Sequence, residues 1–175
     1  MSEWFDTPDG FWERGWRLMT RGREVTLASL SEDGWPEART VILRAAEPGS
    51  CEVHTDLGSS KVASLRSTPR AALHLWDAES ALQLRLRSEV EIVTGEPARA
   101  AWDKVPEPSQ TAYGKRPVPG TEISSALNYA LTPGPENFAI LRLNVVSVDM
   151  LHLGQDHRRV AFARADGWQG RWLSP

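Results

Sequence analysis

The sequence predicts a mainly β protein, an antiparallel barrel carrying a few peripheral helices. Three observations point there. Segments with β-strand alternation recur at short intervals along the chain. Turn signals separate them, at Asp33-Gly34, Pro48-Gly49 and Asp166-Gly167. Helical periodicity is confined to short stretches, as in a closed sheet with few coverings. At 175 residues the chain is expected to form one domain with a sizeable core.

Trp12 and Trp16 stand with Phe11 and Met19 at helical spacing, so residues 9–21 are expected to form an amphipathic helix started by Asp9. Residues 1–23 then make an N-terminal helical arm, and Trp4 lies in a part of it expected to need a partner for order. Strands are predicted at Glu24–Ser31 and Glu37–Ala45, on either side of Asp33-Gly34, and at Ser50–Thr55. Ser59–Ser67 reads as a helix ended by Pro69. Arg70–Asp77 and Ala81–Val93 are strands. In the second, Leu82, Leu84, Leu86, Val90 and Ile92 share one face, opposite Gln83, Arg85, Arg87, Glu89 and Glu91. Glu96–Lys104 is a short helix behind Gly95. Residues 105–136 carry three Pro-x-Pro pairs, with a helical stretch expected at Ile123–Leu131. A long, proline-rich excursion of this kind reads as a functional loop or an arm reaching a partner. Strands near Phe138–Leu151, Arg159–Ala165 and Trp168–Leu173 close the chain. Of eight tryptophans, Trp76, Trp102, Trp168 and Trp172 are expected as core anchors.

Composition narrows the function classes. A net charge of −3 without a basic stripe argues against a nucleic-acid partner. The one cysteine, Cys51, lies in a predicted strand and reads as a small buried hydrophobe. The four histidines lack metal-ligand spacing, so no metal is expected. No apolar run is long enough to span a membrane and no signal-peptide pattern opens the chain, so the expectation is a soluble, cytoplasmic protein without a membrane partner.

Two segments carry the chemistry. In Arg39-Thr-Val-Ile-Leu-Arg44, Arg39, Val41 and Leu43 share one strand face while Thr40, Ile42 and Arg44 share the other. In His54-Thr-Asp-Leu-Gly-Ser-Ser-Lys61, hydroxyls, a glycine and a lysine meet a helix start that Ser59 or Ser60 can cap. Each alone also reads as ordinary surface, a strand with solvated arginines or a capped helix with an exposed lysine. Together they bring three cations to one spot that suits a dianionic phosphate. The Gly-x-x-x-x-Gly-Lys spacing of a P-loop is absent.

These two motifs, followed by Gln83 in a long strand and a terminal Trp-x-x-x-Trp-Leu-x-Pro, resemble the pyridoxamine 5′-phosphate oxidase superfamily of FMN-binding split barrels. The resemblance runs from about Glu24 to Pro175. It implies an antiparallel Greek-key split β-barrel and a homodimer with FMN at the subunit interface. It places Arg39 and Lys61 on the FMN phosphate, with Thr55 and Ser60 nearby and the cap candidate Ser59 counted with them, and sets Thr40, Val41, Ile42, Leu43 and Arg44 along the flavin. His54 stands where the family often has an aromatic residue, Gln83 would reach the flavin from the second subunit, and Arg159 matches a flavin-side arginine. His152 replaces a family tryptophan and Ser60 a family arginine.

The family's substrate clamp is altered. Ser109 matches its serine, whereas Val105 and Ala101 stand at its arginine and tyrosine positions, and its C-terminal Arg-x-His is shortened to His157-Arg158-Arg159. The resemblance therefore implies an FMN-dependent oxidoreductase taking a small-molecule substrate or electron donor other than pyridoxamine phosphate. Arg44 would stabilise reduced flavin or orient an acidic substrate. Three alternatives stand beside this. One is a true oxidase with a replacement clamp of Arg44, Ser109 and Arg158. Another is an FMN-binding module without turnover, and the last is a split barrel holding another ligand such as haem.

Overall fold

The structure is a computed structural model that describes residues 3–175, so the first two positions of the expected arm lie outside the described residues. Its strands are β1 (Glu24–Leu30), β2 (Pro36–Glu47), β3 (Ser50–Asp56), β4 (Arg70–Asp77), β5 (Leu82–Val93), β6 (Lys115–Arg116), β7 (Ala130–Leu131), β8 (Phe138–His152), β9 (Arg158–Ala163) and β10 (Arg171–Leu173). The helices are α1 (Pro8–Leu18), α2 (Ser60–Ser67), α3 (Glu96–Trp102) and α4 (Glu107–Gln110). Among the described residues, no helix is long and apolar enough to cross a membrane.

Six antiparallel strands in the order β8-β3-β2-β1-β4-β5 close into a barrel through the β5–β8 pairing. β4 returns past the β1–β2–β3 meander to lie beside β1, which makes the Greek key. β8 explains the split. Its first half, Phe138–Asn144, pairs with β3, and its second, Ser147–His152, leaves β3 for β9 while β5 pairs with it from Ile140 to His152. β9 and β10 thus extend the sheet beyond the barrel.

Alternation fills the interior. Leu27, Leu43, Val53, Leu73, Leu84 and Leu141 are all buried there. α1 closes over them, seated so tightly that a Cβ on Gly15 would fall 2.4 Å from the Met150 methyl. Cys51 is buried as expected, and burial pushes its thiol up to about 12. A second apolar cluster lies outside the barrel, where α3 and Tyr113 cover Val93, Phe138 and Ile140.

Several expectations need correction. α1 starts at Pro8, not Asp9. Thr7 is its cap and accepts the Gly10 N–H at 3.1 Å, while Pro8 presets the first turn. It ends at Leu18 because the chain must turn at Gly22, whose φ of +86° favours glycine. Trp4 needs no partner for order, since its ring packs on Phe11 and His152 at 5.2 and 5.3 Å. Ile123–Leu131 is not helical. Its residues find no surface to bury against, Leu127 being 81% exposed, and its end pairs as β7 with β6. α3 stops at Trp102, and the last hairpin narrows because a 3-10 turn at Arg164–Asp166 precedes Gly167. Trp76 and Trp172, 44% and 48% exposed, are not core anchors. The aliphatic face of β5 is broken by buried Ser88.

Candidate functional site

The site has two parts on either side of β2. The first is a cradle where β2, the end of β3 and the start of α2 meet. β2 carries Arg39 opposite Leu27, so alternation turns it toward the interior side, half-buried. Thr55 closes β3 on the same side. The chain then turns at Gly58, where the Asp56 carboxylate accepts the Gly58 N–H at 2.8 Å and, from the long excursion, the Gly114 N–H at 2.6 Å. That turn delivers Ser59 and Lys61. Lys61 Nζ donates to Thr55 Oγ1 at 3.0 Å and to Ser59 Oγ at 3.1 Å.

The cradle is rich in positive charge. Among the described residues no carboxylate lies within ion-pair distance of Lys61, and both Asp56 oxygens already hold backbone amides. Burial, and then the Arg39 charge, push the Lys61 pKa down, against the pull of Asp56. Arg39 donates to Ser29 Oγ at 2.7 Å and to Glu37, which lies beside it on β2 and is 40% exposed at its side chain. Ser59 occupies the cap position of α2, yet its hydroxyl donates back to the Asp56 carbonyl at 2.8 Å and caps no helical N–H. Ser60 is exposed, so Ser59 is the serine of the cradle.

The second part is a cleft of about 330 Å³ between β2, β3 and the α3–α4 segment. A β-bulge between Leu43 and Ala45 makes Arg44 the extra residue of β2. The bulge takes Arg44 off the simple alternation with Thr40 and Ile42 and into this cleft. His54 and Ser109 line it too, as do Ala101 and Val105. Burial and the nearby Arg44 and Arg21 charges push the His54 pKa down to about 4, so the ring is neutral near pH 7.

The remaining predicted residues are spread out. Thr40 and Ile42 are exposed on the outer face of β2, whereas Val41 and Leu43 are in the core, so any ligand contact of the latter two runs through their backbone. Gln83 pairs with Trp76 and Leu151, and Arg159 pairs with Leu151 from the other side. Arg159 binds Asp149 at 2.7 Å, and Arg85 binds the same carboxylate at 3.0 Å. Arg158 is not in the cleft. It pairs with Asp6 at 3.6 Å and lies over the Phe5 ring. His152 is buried with its ring stacked on Phe5 at 4.7 Å. Gln83, Arg158 and Arg159 therefore sit toward the end of β8 away from Ile140, the partner of His54.

Sequence reading missed Arg21, Lys104 and Arg142 in the cleft and Asp56 beneath the cradle. The Gly22 turn held the only signal for Arg21. The Gly22 N–H donates to the Leu43 carbonyl at 2.8 Å and the Leu43 N–H to the Arg23 carbonyl at 3.0 Å, which stitches Arg21 beside Arg44.

A family model described as pyridoxamine 5′-phosphate oxidase matches residues 18–152, which span both parts of the site. The chain belongs to the pyridoxamine 5′-phosphate oxidase family. Pyridoxine/pyridoxamine 5′-phosphate oxidase of Alkalilimnicola ehrlichii is similar, 29% identical over 166 residues covering 86% of this chain and 85% of that protein. The oxidase of the same description from Sinorhizobium fredii is 30% identical over 162 residues, covering 83% and 79%. A solved structure from Nostoc punctiforme, described as a pyridoxamine 5′-phosphate oxidase-related, FMN binding protein, superposes with a TM-score of 0.74 at 24% identity, over 100% of this chain and 99% of the other. Within this pyridoxamine 5′-phosphate oxidase fold, Ala101 and Val105 bring apolar side chains to the same cleft as Ser109.

Proposed function

We propose that the protein binds FMN and acts as a flavin-dependent oxidoreductase on a small molecule other than pyridoxamine 5′-phosphate. The observation that carries the flavin reading is Lys61, held by two hydroxyls, depressed in pKa by burial and then by Arg39, and without a carboxylate ion-pair partner among the described residues. Such a cluster suits a doubly charged phosphate, which relieves the repulsion between the two cations and accepts from Thr55 and Ser59. These residues fit the FMN phosphate, and a family member of the same fold described as FMN binding supports that choice.

The chemistry that FMN supplies when bound is two-electron transfer at its ring. The protein's part is positioning and charge. Arg39, Lys61, Thr55 and Ser59 would hold the phosphate, and Thr40 to Arg44 of β2 would line the flavin. Arg44, re-aimed by the bulge, brings a cation to the cleft where substrate enters. Gln83 and Arg159 complete the site from a second copy of the chain in a homodimer, because within one protomer they lie far along β8 from His54.

The substrate reading rests on the cleft wall. Ala101 and Val105 stand where the resemblance places a tyrosine and an arginine, and each lost charge-assisted hydrogen bond to a phosphate removes about 1.5–3 kcal/mol. Less of that binding energy is then available to hold a reacting carbon in place. The purified protein should show flavin bands that bleach with a suitable donor, while forming pyridoxal phosphate from pyridoxamine 5′-phosphate only poorly. Aerobic turnover on the order of 1 per second or faster would make it the vitamin oxidase instead.

A further inference from the structure

The cleft holds more positive charge than its neighbours neutralise. Arg21, Arg44 and Lys104 all line it, and its one lining carboxylate, Glu52, is already bound to Arg142 at 3.2 Å. Arg142 is shared further with Glu91. Among the described residues neither Arg21, Arg44 nor Lys104 has an ion-pair partner, and the buried Arg44 Nε has no hydrogen-bond partner at all. A buried guanidinium N–H without an acceptor is unfavourable until something supplies one. The lining contributed by the α3–α4 segment is largely apolar, with Ala101, Val105 and Pro106 beside Ser109.

We propose that this cleft binds the carboxylate of a small organic acid, with Arg21 and Arg44 holding the carboxylate and Ala101 and Val105 contacting the apolar body. The inference deepens the oxidoreductase reading by naming its substrate class, and it rests on that reading only for the claim that the bound acid is the substrate. A guanidinium fork matches the two oxygens of a carboxylate. A phosphate monoester would set three terminal oxygens against a wall whose Ala101 and Val105 offer no donors, leaving some poorly paired. The neutral His54 ring adds a polar neighbour without a charge that would compete for the arginines. The volume, about 330 Å³, lies at the small end of ligand sites. The backbone at Arg21 is held next to Arg44 because the Gly22 turn is hydrogen-bonded to Leu43, the residue before Arg44.

Titration calorimetry of the FMN-loaded protein with benzoate, benzamide and phenyl phosphate tests this. Benzoate should bind at least about 10-fold tighter than benzamide, the neutral analogue of the same shape, and tighter than phenyl phosphate. Arg21→Gln, an exposed position whose side chain the core does not use, should weaken benzoate about 10-fold, and Arg21→Lys should recover part of that. Equal affinity for benzoate and benzamide overturns the proposal, as does tighter phenyl phosphate, absence of benzoate binding, or an Arg21→Gln affinity within twofold of the parent. The flavin spectrum separates the two readings. Failure of benzoate in protein that keeps its FMN sinks the cleft alone, whereas benzoate binding by protein that takes up no FMN sinks the flavin reading alone.

Discussion

In the proposed phosphate cradle, single side chains both position and restrain the positive charge. Lys61 is positioned by Thr55 and Ser59, while Arg39 is partly occupied by Glu37. A partly exposed ion pair of that kind contributes about 0.2–1 kcal/mol. Glu37→Gln should therefore leave FMN affinity unchanged or tighten it by up to about 5-fold, measured by flavin fluorescence titration; a marked loss would mean that Glu37 orients Arg39 rather than competing for it. His54 gives a pH prediction. Its folded pKa near 4 lies below the ordinary value of 6.5, so between those values the unfolded chain binds a proton that the folded protein refuses. Stability from this residue is complete above about pH 6.5 and is lost as pH falls toward 4. Thermal melts over that range should fall less steeply for His54→Phe than for the parent, and parallel slopes would contradict the assignment. The meeting of Lys61 with the Thr55 and Ser59 hydroxyls was legible because all three stand within seven residues around one helix start. Glu37 and Asp56 were not, since their partners depend on which side of a strand or turn they face.

At the scale of elements, a bulge and a pinned excursion shape the site. The strand alternation of β2 was legible, but the bulge at Arg44 was not, because it arises from the pairing of β2 with β3 rather than from any residue pattern. The excursion of residues 105–136 was legible as a long, proline-rich segment, and its attachment was not. Asp56 holds the Gly114 N–H, the Thr132 N–H donates to the Gly114 carbonyl at 2.7 Å, and the Leu57 N–H donates to the Asn137 carbonyl at 2.8 Å. Gly114 has φ +84°, and a Cβ there would fall 2.1 Å from the Thr132 carbonyl oxygen. Gly114→Ala should destabilise the protein by about 2 kcal/mol or more, lowering Tm by roughly 4–8 °C. Hydrogen exchange should rise first over β6 and β7. A variant with unchanged Tm and exchange would mean that the excursion is not anchored at this point. The expected helix at Ile123–Leu131 failed for the converse reason, since its side chains have nothing to pack against.

For the whole molecule, the barrel was legible from alternation and turns, and the split from nothing local, because β8 exchanges β3 for β9 in mid-strand. Ile140, beside His54, and Leu151, beside Gln83 and Arg159, are separated by a contour of roughly 35 Å along β8 at the usual rise per residue. In the proposed homodimer Gln83 and Arg159 serve the cradle from another copy, and the exposed Trp76 and Leu173, paired with them on the neighbouring strands β4 and β10, give such a copy an apolar surface. Sedimentation of the FMN-loaded protein should give twice the chain mass, and a monomer that keeps FMN tightly would remove Gln83 and Arg159 from the site. The Arg39–Thr55–Ser59–Lys61 cradle is proposed to hold the phosphate of FMN. Titrating FMN into flavin-free parent and Lys61→Ala protein tests it most directly. Tight binding by the parent and a roughly 10- to 150-fold weaker dissociation constant for Lys61→Ala is the predicted result, the equivalent of about 1.5–3 kcal/mol for one charged contact. Equal affinities, or a parent that takes up no FMN, would contradict it.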